Sequence, residues 1–599
     1  MLKIPANIKL ADPTFHKPGS IDLLIGAGTT LSVLSIGQIS LSLPNQQEVF
    51  LQKTLLGWIV GGAAPTSKNV TAPQCHATST IQFDLTKFWE IEECPTTSKL
   101  TPEEIQCELH FQKYVSRTRD GRYIVALPFN PNTPDLGESY HLALKRLKST
   151  ERKLKNDPDL EVQYNNVLQE YLDLNHMSPV NVSPSNTPNY YLPHHAVIKS
   201  SSMTTKVRVV FDGSANTTTG VSLNDVLFTG PTIQSDLFSL LIRFRKHPIV
   251  ITGDIEKMYR QFLIRKEDRK YQRILWRNSN NEIQTYELDT VTFGIRPSPY
   301  LAIRCLHQLA DDEGQQFPIA AKVLKEDFYV DDLLSGAEDV EKAIKIRQQV
   351  TQILRRAGLT IRQWASNNSA VLKDIPQENI NPHLQLGDST LKTLGICWES
   401  KTDNIIYTVK PIVSFPRIIV TPNTKQLHLH GFCDASEKAY GACIYLRVTD
   451  HQGKIQVLLV CAKSKVAPLK TITIPLLELC GAQLLSSLIK ATITASKMTF
   501  DKIHYWTDST IVLNWLNTSP HQLKTFVSNR VSDIQTKTDV KSWRHVPTKD
   551  NPADLVSRGV LPADFTSMNI WKHGPSWLRE PAEKWPTYQV PLLKEIPEQ

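Results

Sequence analysis

At 599 residues, 41% hydrophobic and 21% charged, the chain has apolar material for several packed cores, so three or four globular domains are expected and a low-complexity chain is excluded. A formal net charge of +8 is a mild basic excess, compatible with a polyanionic partner but too small over this length to establish one. Nine cysteines with no C-x-x-C pair and no Cys/His cluster at zinc spacing exclude a disulfide framework and a zinc knuckle, and read as free thiols in a reducing compartment. The opening MLKIPANIKLADPTF lacks a basic start followed by a long apolar core. No later stretch reaches the ~18 uninterrupted apolar residues of a membrane span. The expectation is an intracellular protein without a membrane partner, cytoplasmic, carried in a particle or nuclear. No solenoid or propeller repeat is present.

In chain order, residues 1–62 carry two β-rich apolar runs closed by glycine, Ile21 to Gly28 and Thr54 to Gly62, which predict a small strand-built unit. The pair resembles the C-terminal part of a retroelement aspartic protease. That family needs a catalytic Asp in an Asp-Thr/Ser-Gly turn, and neither triplet occurs in the chain. Residues 63–135 begin rich in Ser, Thr and Pro and read as a linker with one amphipathic piece at Phe88 to Glu93. Residues 136–180 switch to helical spacing. Leu142, Leu147 and Leu154, then Tyr164, Val167, Leu168, Tyr171 and Leu172, share recurrent faces, and Asn156-Asp157-Pro158 breaks the run into two helices. The cations Lys145, Arg146, Lys148, Arg152, Lys153 and Lys155 are able to track a phosphate backbone, although a charge run on a helix is usually a solvated face.

Chemistry accumulates from residue 190. Lys206-Val207-Arg208 alternates, so Lys206 and Arg208 emerge on one strand face, an arrangement that suits a triphosphate and also occurs on strands with no ligand. Ile249 to Ile255 is a buried-strand run that delivers Asp254 to its tip. Thr292-Phe293-Gly294-Ile295-Arg296-Pro297-Ser298-Pro299 is a turn opening into a helix at Leu301 to Leu309, either a seat for a base pair or helix-start punctuation. Phe328 to Gly336 reads as a hairpin with Asp331 and Asp332 at its turn. Alone, Asp-Asp is an ordinary solvated turn. With Asp254 beside it, three crowded carboxylates repel one another and are hard oxygen ligands for magnesium. Such a set suits a two-metal site for phosphoryl transfer. Glu338 to Gly358 is helical and Leu394 to Trp398 is a strand, with Trp398 either a primer contact or plain core.

Beyond Leu427 a second acidic set appears. Strands ending at Asp434 and Asp508, a helix carrying Glu478 inside an apolar surround, and a helix start at Asp554 leave four carboxylates too many for one core unless they share a ligand. Trp571, Trp577 and Trp585 mark a Trp- and Pro-rich tail over 561–599.

Asp254 with a tyrosine five residues on, the Phe-Gly-x-x-Pro-Ser-Pro turn and the Tyr-x-Asp-Asp hairpin resemble, in this order, the palm of a reverse transcriptase. The stretches Phe88 to Glu92, Gly121 to Phe129, Tyr190 to Val197 and Arg208 to Ser214 extend the likeness to the polyprotein of a Bel/Pao-type long-terminal-repeat retrotransposon over nearly the whole chain. The later order Asp, Glu, Asp, Asp on a βββαβα pattern resembles a ribonuclease H domain. The resemblance implies a multi-domain α/β (α+β) protein: a right-hand polymerase with palm, fingers and thumb over 181–400 and a ribonuclease H-like domain over 401–560. These would be preceded by a truncated aspartic-protease-like unit and followed by a connector towards an absent integrase, as in an internal fragment of a larger polyprotein. It further implies that Asp254, Asp331 and Asp332 hold two magnesium ions, or manganese in their place, that Lys206 and Arg208 contact the incoming deoxynucleoside triphosphate, and that Tyr259 excludes a ribose 2′-hydroxyl. Phe293 and Gly294 then belong to the substrate-binding turn. Asp434, Glu478, Asp508 and Asp554 are then the metal ligands and catalytic groups that cut the RNA strand of an RNA–DNA hybrid. His545 is either a mobile catalytic-site histidine or a surface group. The implied partners are an RNA template and a DNA primer. The rival readings are a catalytically inactive nucleic-acid-binding remnant and, against the missing turn, an aspartic peptidase.

Overall fold

The computed structural model describes residues 5, 8–12, 33–41, 49–62, 100–181, 188–198, 207–381, 383–385, 396–407, 413–420, 423–468, 472–561, 564, 568–587 and 597–598. The chain divides into two compact units, Met1–Thr86 and Lys87–Gln599. In the first, β1 (Leu34–Ser40), β2 (Val49–Thr54) and β3 (Gly57–Gly62) form an antiparallel three-stranded sheet, with Leu51 fully buried. The run predicted as one strand from Thr54 is the end of β2, a turn at Leu55-Leu56 and β3. The Ile21–Gly28 run and the Phe88–Glu93 piece lie outside the described residues.

In the second unit the span read as linker becomes ordered helix at α1 (Pro102–Tyr114). Its start is a capping box in which Thr101 and Glu104 bond each other's backbone N–H groups. Cys107 and Phe111 on α1, and Tyr123 and Val125 on β4 (Tyr123–Val125), enter the same core as the carboxylate-bearing strands below. The helical stretch is α2 (Tyr140–Lys155) and α3 (Pro158–Asp173), separated as the sequence predicts. Asp157 caps α3 by accepting from the Leu160 N–H, and Pro158 occupies the first helical position. Next come β5 (Met177–Val180), β6 (His194–Ile198) and β7 (Val207–Phe211), the last two paired antiparallel with Val197 opposite Arg208.

The region around the central sheet runs α4 (Leu237–Lys246), β8 (Ile249–Ile255), β9 (Arg273–Arg277), β10 (Ile283–Leu288), α5 (Ser298–Glu313), α6 (Pro318–Glu326), β11 (Phe328–Tyr329), β12 (Asp332–Ala337), α7 (Val340–Arg356) and β13 (Ile361–Ser366). Its order is β11-β12-β8-β13, with β9 and β10 in a separate sheet beside β5. The runs Ile249–Ile255 and Leu333–Ala337 are buried almost throughout, as central strands covered on both faces require. This is the palm expected from the sequence.

A small four-stranded sheet, β14 (His383–Gln385), β15 (Ile396–Glu399), β16 (Asn404–Tyr407) and β17 (Val413–Pro416), leads to the second lobe. Trp398 on β15 is fully buried edge-to-face against Phe244, ring centroids 5.2 Å apart, and its indole N–H donates to Asp403 at 3.0 Å. Of the two readings open for Trp398, the structure selects core.

The second lobe has β18 (Thr424–Ala435), β19 (Ala439–Asp450), β20 (Ile455–Val466), α8 (Ile474–Ser496), β21 (Lys502–Thr507), α9 (Thr510–Leu516), α10 (Thr525–Lys537), β22 (Trp543–His545) and α11 (Asp554–Arg558). Its sheet order is β20-β19-β18-β21-β22, antiparallel through the first three strands and parallel between β18, β21 and β22. This is the ribonuclease H-like arrangement that the sequence resembles. One face packs on α8 and α10 through residues such as Leu429, Ile444 and Leu485. The other face, carrying Phe432, Tyr445 and Trp506, is covered by Trp571, Trp577, Leu578 and Trp585 of the tail. The 23-residue α8 has the length and apolarity of a membrane span, yet Leu479, Leu485, Leu488 and Ile489 are buried against the sheet, as in the core helix of a folded domain.

Candidate active sites

The polymerase-like centre is set by register. Strands β8 and β12 run antiparallel with Asp254 directly opposite Asp332, and Asp331 occupies the turn between β11 and β12, where its carbonyl accepts from the Ile255 N–H at 2.9 Å. Directly opposed residues in such a ladder lie about 5 Å apart, so their side chains meet on one face. Carboxylate oxygens of Asp254, Asp331 and Asp332 all lie within 4.8 Å of one another, and each residue is half-buried. Val330 makes the turn in the left-handed region at φ 56°, where a β-branched residue is strained. The Gln234 side chain accepts its N–H at 3.1 Å and supports that conformation. Hard oxygen donors brought this close fit a divalent cation, which would offset their mutual repulsion.

Beside the trio, Tyr259 is 7% exposed and its ring packs on Phe293 with centroids 4.5 Å apart. Burial, and then the charge of Asp331, pushes its phenol above the ordinary range. Phe293 itself is exposed. The following Gly294 has φ +90°, and a Cβ there would stand 1.8 Å from the carbonyl oxygen of Phe211 at the end of β7. Its own carbonyl accepts from Asn224 Nδ2 at 3.0 Å, while Asn224 Oδ1 accepts the Arg296 N–H at 2.8 Å. The Phe-Gly turn is thereby fastened to β7 and to the start of α5. Gly294→Ala is expected to lower stability by at least about 2 kcal/mol, measured as a shift in denaturation midpoint, because both the φ angle and the space exclude a side chain. Arg208 is half-buried on β7, while Lys206 lies outside the described residues.

The second acidic set gathers at one end of the five-stranded sheet. Asp434 closes β18, Asp508 follows β21, Glu478 lies in the first turns of α8 and Asp554 begins α11. Asp434 is 6% exposed and its carboxyl is pushed up to about 6, by burial first and then by the charges of Asp508 and Asp554, against a hydrogen bond donated by Ser557. Glu478 is pushed up to about 7 by burial, with Asp508 and Asp434 adding to it and a hydrogen bond from Ser509 opposing it. Burial likewise raises Asp554, with Arg558 opposing and Asp508 adding. The charge of Asp508 thus reaches each of the other three, and that of Asp434 reaches Glu478. Among the described residues, only the Asp254 trio draws its carboxylate oxygens within 4.8 Å. Buried carboxylates gathered at one sheet end, their acidity weakened by burial and then by one another's charge, are hard oxygen donors that a cation would stabilise, so this donor set fits one too.

Two positioning groups escaped the sequence reading. Asn551 donates both to the Cys433 carbonyl at 3.0 Å and to Asp508 at 3.3 Å, bridging β18 to β21, and the Ser557 hydroxyl holds Asp434. Both lie three residues from Asp554 in the sequence. His545 ends β22 in a half-buried position.

A third cluster was also missed. His428, His430 and His504 bring ring nitrogens within 4.8 Å of one another on the tail-covered sheet face. The indole N–H of Trp506 donates to His430 Nδ1 at 3.2 Å, so a neutral ring carries its proton on Nε2 and offers no lone pair inward. Arg447 and Arg544 add positive charge, and burial first, then these cations, hold His504 down to about 3. The three rings pack beneath Trp585, whose ring stands nearly perpendicular to His430 and His504 at 5.0 and 5.1 Å, and the nearby positive charge of Arg447 and Arg544 together with the Nε2 proton of His430 weighs against a cation among them.

Residues 205–366 match the family model of reverse transcriptase (RNA-dependent DNA polymerase), and residues 372–509 match that of the Pao retrotransposon-like RNaseH-like domain. No curated protein matches the chain. Among solved structures the chain is similar to the foamy viral protease-reverse transcriptase dRH in complex with double-stranded DNA, at 14% identity and TM-score 0.41, covering 86% of this chain and 93% of that one. It is also similar to the foamy viral protease-reverse transcriptase in complex with an RNA/DNA hybrid, at 13% identity and TM-score 0.42, covering 86% and 71%. Asp254, Tyr259, Phe293, Gly294, Asp331 and Asp332 fall within the first match and Asp434, Glu478 and Asp508 within the second, while Asp554 lies beyond it.

Proposed function

From a reverse transcriptase domain joined to a Pao-type ribonuclease H-like domain, consistent with a Pao-type Pol polyprotein, we propose that this protein is an RNA-directed DNA polymerase with ribonuclease H activity. The observation that carries the reading is the register that sets Asp254 against Asp332, with Asp331 on the adjoining turn. Magnesium ions, two per site and replaceable by manganese, would be held by Asp254, Asp331 and Asp332 and by Asp434, Glu478, Asp508 and Asp554. Bound there, they supply charge stabilisation to an in-line displacement at phosphorus.

The chain's own residues do the positioning. Arg208 on β7, with Lys206 two residues before it in the sequence, presents cations to a triphosphate, for which guanidinium offers bidentate donors. The Phe293-Gly294 turn, fastened to β7, holds Tyr259 rigid beneath the sugar of an incoming deoxynucleotide. In the second site Ser557 and Asn551 fix Asp434 and Asp508, so that both carboxylates face one RNA strand of a hybrid, recognised by its A-form shape and 2′-hydroxyls.

The test is primer extension on an RNA template with deoxynucleotides and magnesium, followed by cleavage of an RNA–DNA hybrid, both with the purified full chain. Template-dependent extension and hybrid cleavage are expected. A folded protein that binds primer–template but does neither overturns the reading in favour of a non-catalytic remnant. Tyr259→Ala is expected to raise incorporation of ribonucleotides relative to deoxynucleotides by about tenfold or more, since the steric barrier at the 2′ position is the side chain itself. Unchanged sugar selection in an active variant would remove Tyr259 from that role.

A further inference from the structure

The six cations of α2 all lie at exposed positions: Lys145, Arg146, Lys148, Arg152, Lys153 and Lys155. At 3.6 residues per turn they occupy the half of the helix opposite its buried stripe of Ala143, Leu147 and Leu154. A solvated helix face usually intersperses both signs, with acids three or four residues from the bases. Here the single carboxylate of α2, Glu151, pairs with Arg277 on β9 at 2.5 Å. The adjoining α3 carries Asp159, Glu161, Glu170 and Asp173 with no Lys or Arg, yet among the described residues no ion pair joins any of the six cations to a carboxylate. Six cations and one engaged carboxylate in sixteen residues compare with an excess of +8 over the whole chain, so the positive charge is concentrated here.

The helix lies against β6 and β9, and Thr150 donates to the His194 carbonyl at 3.3 Å. β6 pairs with β7, the strand of Arg208. The cationic face thus borders the hairpin beside the polymerase-like centre while being separate from its carboxylates.

We propose that the exposed face of α2 is a docking surface for a nucleic-acid phosphate backbone. From Lys145 to Lys155 the helix runs about 15 Å, the length of about four phosphates of one strand. Lys and Arg on a regular helix match that spacing without reading bases, so the contact is independent of sequence and its strength falls with salt. The inference rests on the polymerase reading only in taking the natural polymer to be RNA. A single strand and a duplex offer the same backbone chemistry.

The experiment is equilibrium binding of the full chain, in chelator and without nucleotides, to a fluorescent 30-nucleotide RNA and to its duplex with complementary DNA, across a salt series. The variant Lys145→Glu/Arg146→Glu/Arg152→Glu/Lys153→Glu is expected to raise Kd at low salt at least about tenfold and to flatten the log Kd against log salt slope by about 2 to 4. If the charge-reversed chain misfolds by circular dichroism, the same four positions changed to Gln preserve helix propensity and carry the test, with a smaller loss in the same direction. Loss confined to the single strand, or shared by the duplex, supports the surface and identifies which form it holds. A folded variant with Kd and salt slope equal to those of the parent overturns it. Because chelator removes the chemistry, a parent chain that fails to extend primers leaves this result unaffected, which separates the two readings.

Discussion

Asp331→Asn is expected to lower RNA-templated primer extension by about two to three orders of magnitude while leaving cleavage of an RNA–DNA hybrid unchanged, and Asp508→Asn to do the reverse. The substitution is nearly isosteric and removes one negative charge from a crowded set. The backbone contact of Asp331, its carbonyl accepting from the Ile255 N–H, survives the change. At Asp508 the contact from Asn551 Nδ2 needs only an acceptor oxygen, which the carboxamide keeps. Each variant should therefore melt like the parent. The two carboxylate sets stand on different sheets, β8 with the β11–β12 turn in one lobe and the ends of β18 and β21 in the other, so neither change reaches the other's donors. Parallel assays of extension and hybrid cleavage on both variants decide the matter. If one single change removed both activities from a protein of unchanged melting behaviour, the assignment of two independent sites would be wrong.

What the sequence disclosed of these sites follows from locality. Asp331 and Asp332 are legible because the hairpin is short and its flanking runs are strongly β-forming. Asp254 is legible because a buried-strand run ends on it, and antiparallel pairing within one sheet then leaves few places for its carboxylate. The break between α2 and α3 is written in three adjacent residues. By contrast, the histidine cluster depends on parallel pairing that sets His430 opposite His504 across more than seventy residues of chain, and no local pattern encodes that register. The tail tryptophans likewise look like connector until a sheet face exists for them to cover. Ordered α1 inside a span read as linker had a local signal, the Thr101 to Glu104 capping box, which the surrounding Ser, Thr and Pro composition outweighed. The α2 cations show the limit of pattern alone, because their lack of acidic partners is a property of the packed helices.

The second large effect is expected at Arg417, the bridge between the lobes. Its side chain is fully buried, forks onto Asp403 with contacts of 2.6 and 2.8 Å, and donates to the carbonyls of Phe244 at 2.6 Å and His247 at 2.8 Å. Phe244 and His247 lie at the C-terminal end of α4, where helix carbonyls have no partner of their own. A little further on, β8 begins the strand that ends at Asp254. From the same helix, Arg245 donates to the carbonyls of Arg417, Leu459 and Val460, so α4 is tied at once to the small sheet and to β20. Arg417→Ala takes the guanidinium from a part-exposed carboxylate, which keeps Trp398 and Asn367 as donors, and leaves at least two carbonyls at the end of α4 without their donor; it is expected to cost about 2–4 kcal/mol, read as a lowered midpoint in chemical denaturation followed by tryptophan fluorescence. Trp398 reports directly, because its indole N–H shares the Asp403 carboxylate. Arg417→Lys should recover only part of the loss, since an ammonium cannot reproduce the planar fork. The same weakening should lower extension and hybrid cleavage together, unlike the single-site losses at Asp331 and Asp508, because α4 packs on α8 of the second lobe while leading into the strand of the first site. A midpoint within about 1 kcal/mol of the parent would show that the lobes are held by the α4–α8 apolar contact alone and that the buried guanidinium is replaceable.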